Sequence, residues 1–151
     1  MPDRSKDRRR ALDLLFEVDQ RRRAGERVSL SDTLTDRLAD PAGLKPQRTY
    51  AAQIVLGVDE HAERIDELLA TYSAWTLDRM PAVDRSILRM GVWELLYNDD
   101  IPDGVAVEQA TNLASELSTD ESPGYVNGLL GQLQRLAPTL RTAEAPHGPE
   151  H

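Results

Sequence analysis

A chain of 151 residues with a net charge of −8, no cysteine and 5% aromatic residues excludes a disulfide framework and a cysteine metal site. Its apolar residues are mostly Leu, Val and Ala, which favours helices over a β-sandwich. No run approaches the ~20 apolar residues a bilayer needs, and the first residues are charged rather than apolar, so a soluble cytoplasmic protein is expected. The charge is uneven: residues 1–27 carry nine Arg/Lys against six acids, a balance of +3 that leaves −11 on the remainder. A basic end on an acidic body suits contact with nucleic acid at one place. Alternatively, i,i+4 pairs such as Arg9–Asp13 and Glu17–Arg21 satisfy some of these charges internally.

Periodicity predicts an all-α chain of six to seven helices. The first spans about Asp7–Arg23 behind a basic arm, with Ala11, Leu14, Leu15 and Val18 as its apolar stripe and Gly25 as its stop. The second covers about Leu30–Leu38, capped by Ser29 or Ser31. Pro41–Pro46 reads as a loop. One long helix follows, about Pro46–Tyr72, in which Gly57 is the candidate kink. After a connector at 71–80 comes Met80–Pro102, whose helix is apolar almost all the way round, with Pro81 in its first turn. Such a helix is buried on several sides. Yet Asp84, Arg85, Arg89 and Glu94 sit within that surface, and buried charges require partners inside the chain or on another molecule. About Val105–Leu117 and Pro123–Leu136 complete the set. Two small packed bundles sharing a core are expected, with 1–78 as the N-terminal bundle, 79–137 as the C-terminal one and 138–151 as a disordered polar tail.

Signs of catalysis are scarce. Neither a P-loop nor GxGxxG, HExxH or GxSxG occurs. His147 and His151 fall in the tail, and His61 reads as a lone surface histidine. No catalytic residue, metal site or cofactor is therefore expected. On the first helix Phe16 falls away from the apolar stripe, near Arg9, Gln20 and Arg23. Either it stacks on an unpaired base while the arginines hold phosphate, or it packs with Leu12 on a second core surface. In the last helix, Tyr125–Val126–Asn127–Gly128 stands among glycines that suit close helix approach. Tyr125 and Asn127 fit either helix packing or RNA.

Several ordered blocks carry a resemblance. PAVDRSILRMGVWELLY with DIP after it, the Val107–Ala110 helix with ELSTDES, YVNGLL, RRRALDLLFEVD and GVDEHAERIDELL together resemble the NusB family of transcription antitermination factors. The likeness runs over about residues 6–136 in consistent order.

The resemblance implies two three-helix-type bundles and no enzymatic step. It implies binding to the boxA sequence of ribosomal RNA leader transcripts together with NusE, a small-subunit ribosomal protein, so that the RNA polymerase elongation complex reads through terminators. By position, Lys6, Arg8, Arg9, Arg10 and Phe16, with Glu121, Tyr125 and Asn127, are implied to face RNA. Asp84, Glu94, Tyr97 and Ile101 are implied to face NusE. Asp7 interrupts the basic run, Ala114–Ser115–Glu116 stands where many family members have Ala-Lys, and Gly124 stands where many have Lys, so fewer cations serve phosphate. A homodimeric helical adaptor is one alternative. The other is an RNA-binding domain like those of ribosomal RNA cytosine methyltransferases, which would need a cofactor domain and a cysteine.

Overall fold

The computed structural model describes residues 3–38 and 49–144, which form seven α-helices with no strand among them. They are α1 (Ser5–Arg23), α2 (Leu30–Leu38), α3 (Tyr50–Glu60), α4 (Ala62–Tyr72), α5 (Ala82–Tyr97), α6 (Asp103–Leu117) and α7 (Ser122–Glu144), with a 3-10 turn at Leu77–Arg79. Local chemistry sets the ends. Gly25, at φ 94°, stops α1 while the Gly25 and Glu26 N–H groups cap the carbonyls of Arg22 and Arg21 at 3.0 Å. Ser29 Oγ accepts the Asp32 N–H at 3.2 Å to start α2, and Thr49 Oγ1 accepts the Ala52 N–H at 3.0 Å to start α3.

Helix α5 joins the two halves of one continuous core. It touches α1, α3 and α4 from the N-terminal half and α6 and α7 from the C-terminal half. Twelve of its sixteen residues are buried, which leaves no polar face. Two glycines allow the close approach. A Cβ on Gly57 of α3 would lie 1.9 Å from Trp93 Nε1, and one on Gly91 of α5 would lie 2.7 Å from Leu130 Cδ1.

The four charges embedded in α5 all find partners within the chain. Asp84, 1% exposed, accepts from Ser118 Oγ at 2.6 Å and Ser122 Oγ at 2.8 Å, which ties the α6–α7 turn to α5. Glu94, also 1% exposed, takes Arg8 Nε at 3.0 Å on each oxygen and the Tyr50 hydroxyl. Arg85 Nη2 donates to Asp19 Oδ2 at 2.5 Å, and Arg89 bridges Asp19 and Asp66, both at 2.8 Å. Asp84 and Glu94 were expected to face NusE. Their burial corrects that: both carboxylates are already desolvated and hydrogen-bonded inside the fold.

Asp19 gives this arrangement a pH signature. Burial alone would push its carboxyl up, but hydrogen bonds and positive charge from Arg85 and Arg89 reverse the effect and hold it at about 2, below the ordinary 3.8. A lowered carboxylate pKa gives stability that is complete above the unfolded-state value and vanishes as pH falls through the folded-state value. About 2 kcal/mol is therefore expected to disappear between about pH 4 and pH 2. Urea unfolding followed by circular dichroism across that range should show the loss in the native chain and not in an Asp19→Asn variant.

Three sequence expectations need correction. The helix expected over Pro46–Tyr72 is two helices broken at His61, where φ is −108° and ψ is 19°. Gly57 lies inside α3, and Pro41–Pro46 falls outside the described residues. His61 is no lone surface histidine: its ring is half-buried and stacks on Tyr97, with centroids 3.7 Å apart. Finally, α7 does not stop at Leu136. It continues through Pro138 to Glu144, so 138–144 is helix rather than tail. Ala137 and Leu140 extend the buried stripe, and Arg141 Nη2 donates to Leu95 O and Asp103 Oδ1, each at 2.5 Å. Those contacts offset the backbone hydrogen bond that Pro138 cannot donate. His147 and His151 lie outside the described residues.

Candidate nucleic-acid interface

Wheel position divides the basic run at the start of α1. Arg8 shares a phase with Ala11, Leu12 and Leu15 and turns inward, 5% exposed, to meet Glu94. Its place in the interior corrects its expected display toward RNA. Lys6, Arg9 and Arg10 turn outward and are exposed. Lys6 and Arg10 have no ion pair among the described residues. Arg9 Nε lies 3.5 Å from Asp13 Oδ1, a solvent-exposed i,i+4 pair. Such a pair contributes little and leaves the guanidinium available to a phosphate.

A groove of about 210 Å³ runs between this end of α1 and α6, lined by Ser5, Arg8, Arg9, Gln109, Asn112 and Glu116. The amide side chains offer donors and acceptors, and Glu116 supplies an acceptor where a cation would favour phosphate. Phe16 is half-buried further along α1, and Leu12, its apolar neighbour, belongs to the core at 3% exposure.

The second group of expected RNA residues separates into two places. Glu121 and Tyr125 line an open pocket of about 390 Å³ with Trp75, Pro81, Asp84 and Ser122. Tyr125 is fixed there by a 2.6 Å hydrogen bond between its hydroxyl and Ser73 Oγ, and its ring lies 4.9 Å from that of Trp75. Asn127 instead leans toward α6, its Nδ2 3.4 Å from Thr111 Oγ1. The sequence reading missed Trp75. It is 42% exposed, and its signal was present: a tryptophan in a polar connector with no helical stripe to join. The α6 end links the regions, because Glu116 borders the groove and Ser118, two residues on, bonds the Asp84 carboxylate that borders the pocket.

On the side expected to meet NusE, Tyr97 is half-buried and Ile101 is 6% exposed. Asp99, Asp100 and Pro102 of the same turn are exposed. Asn98 organises that turn, its Oδ1 accepting the Asp100 N–H at 3.0 Å.

The described residues thus define an all-helical protein with outward cations at the start of its first helix, beside a groove and an aromatic pocket. A model of the NusB family matches residues 5–135, and the chain belongs to that family. Transcription antitermination protein NusB of Beutenbergia cavernae is 59% identical over 152 residues, covering 98% of this chain and 99% of that one. Among solved structures, T. maritima NusB superposes with a TM-score of 0.78 at 30% identity, covering 94% of this chain and 98% of that chain. A structure of antitermination factors NusB and NusE in complex with dsRNA shares the fold at a TM-score of 0.69 and 24% identity, covering 87% of this chain and 96% of that one. The family's members are antitermination factors and not enzymes. No helix among the described residues is long and apolar enough to cross a membrane.

Proposed function

We propose that this protein binds the boxA sequence of ribosomal RNA leader transcripts together with NusE, and thereby keeps RNA polymerase reading through terminators. The observation that carries this reading is the outward placement of Lys6, Arg9 and Arg10 on the first turns of α1, beside the groove to α6. Membership of the NusB family supports it. Guanidinium and ammonium groups hold phosphates, while half-buried aromatics such as Phe16 and Tyr125 offer faces to unpaired bases. Glu121, at the pocket rim, and Asn127 accept and donate to base edges. NusE is assigned to the α5–α6 turn, with Tyr97 and the exposed residues around Ile101 as its contact. Asp84 and Glu94 hold that region in shape from within.

The test is a titration of the full chain with a boxA oligonucleotide and a scrambled control, with and without NusE. The native chain is expected to prefer boxA, more strongly with NusE present. Arg9→Ala with Arg10→Ala is expected to weaken boxA binding at least tenfold. It should also lower the slope of log affinity against log salt by roughly 0.7 for each phosphate contact removed. The helical circular dichroism should stay unchanged. Equal binding of boxA and control, or an unaltered affinity in the double variant, overturns the assignment.

A further inference from the structure

The start of α1 is built against its own electrostatics. Lys6 and Arg8 flank the single acid Asp7 in the first turn, where unpaired N–H groups make a cation unfavourable, and Arg9 and Arg10 follow directly. Arg4 stands at the N-cap with no side-chain hydrogen bond to the helix, and a nearby acceptor, Asp3 Oδ1, takes the Ser5 N–H at 2.9 Å. A helix end of this composition frays unless tertiary contacts hold it.

Those contacts converge on Tyr50. Arg8 is clamped by Glu94 across 86 positions of sequence, with Nε 3.0 Å from both carboxylate oxygens. The Tyr50 hydroxyl donates to that same carboxylate and accepts Asn98 Nδ2 at 3.0 Å. The hydroxyl end of Tyr50 is thus fixed from below. Over its ring lies Arg4, the guanidinium carbon 4.2 Å from the centroid, with the Arg8 carbon 5.9 Å away. Arg4 and Arg8 are one helical turn apart and meet the ring together.

We propose that Arg4 is a further RNA-phosphate contact, and that Tyr50 is the positioning residue that sets it in line with Lys6, Arg9 and Arg10. This rests on the RNA-binding reading above. A guanidinium lying on an aromatic face keeps its N–H edge free, so the seat fixes Arg4 without consuming the donors a phosphate needs. Arg4 has no ion pair among the described residues, and its side chain is only half-buried. Ordering a long side chain before binding spares entropy that would otherwise be lost at the interface. The Arg8–Glu94 pair serves the same end from inside by pinning the helix that carries the other cations.

The experiment compares Arg4→Ala, Tyr50→Leu and Tyr50→Phe in the full chain. It reads boxA affinity at several salt concentrations, amide hydrogen exchange over residues 5–10, and Tm. Arg4→Ala should weaken binding about threefold to tenfold and lower the salt slope by roughly 0.7, with Tm nearly unchanged. Tyr50→Leu should give a similar loss with faster exchange at the start of α1. Tyr50→Phe, which keeps the ring, should retain affinity within about twofold, measured well below its unfolding midpoint. An Arg4→Ala variant that binds like a native chain overturns the inference alone. So does a Tyr50→Leu variant with lowered Tm but native affinity and exchange. A native chain that does not distinguish boxA from its control overturns the RNA reading beneath it.

Discussion

Asp19→Ala is expected to cost about 3–5 kcal/mol of folding stability, the range found when one member of a buried ion pair is removed. Asp19 is itself 7% exposed, and the arginines it serves differ in what they have left. Arg89 keeps Asp66, with contacts of 2.8 and 3.1 Å. Among the described residues, Arg85, 2% exposed, keeps only the carbonyls of Leu77 and Met80 and no carboxylate. Its full charge would then sit in a low-dielectric interior with neutral acceptors alone. A domain stabilised by about 5–15 kcal/mol would lose a large share of its margin. Replacing both partners, Asp19→Leu with Arg85→Met, should recover much of that loss, because an apolar pair of similar volume has no desolvation cost. Urea denaturation of the two single variants and the double variant measures this. Additive losses would mean that the pair is not the source of the effect.

Gly57→Ala is expected to be the second most damaging small change, lowering stability by about 2 kcal/mol. Alanine is favoured over glycine within a helix by roughly 1 kcal/mol, so the sign alone is informative. The new Cβ would meet Trp93 Nε1 at 1.9 Å and Cε2 at 2.3 Å. That indole is 8% exposed and tilted against Tyr50, with centroids 6.2 Å apart, so it has little room to retreat. Overpacking of this kind pushes α3 off α5 or forces the ring from its rotamer. Gly128→Ala on α7, where a Cβ would have nothing within 4 Å, is the control. Thermal unfolding of the two variants separates clash from propensity. A Gly57→Ala chain as stable as its parent would show that α3 and α5 slide apart at no cost.

What the amino-acid pattern revealed, and what it concealed, follows from the range of the forces involved. Helix α2 was legible to its bounds, because Ser29, Asp32 and the apolar spacing act within a few residues. The girth of α5 was legible from periodicity alone. The break at His61 was not, since no proline marks it and apolar positions continue from Ile54 to Leu69 on both sides. Pro138 misled in the opposite direction: a strong breaker was overruled by the burial of Leu140 and the pairing of Arg141. In the candidate site, the split of Lys6, Arg9 and Arg10 from Arg8 was within reach, because Arg8 lies three, four and seven residues before Ala11, Leu12 and Leu15. The donors to Asp84 were not, because Ser118 and Ser122 arrive from a turn more than 30 residues away.

The chain contains two tryptophans, and the fold assigns them opposite surroundings. Trp93 is sealed beneath Gly57 at the join of α3 and α5, whereas Trp75 stands 42% exposed against Tyr125. An indole in an apolar enclosure emits to the blue and is shielded from soluble quenchers, while one in water emits to the red and is reached by them. Iodide or acrylamide should therefore silence one emitter and spare the other. The molecule thus carries two intrinsic optical reporters, one reading the closure of its core and the other reading the occupancy of the pocket beside Tyr125.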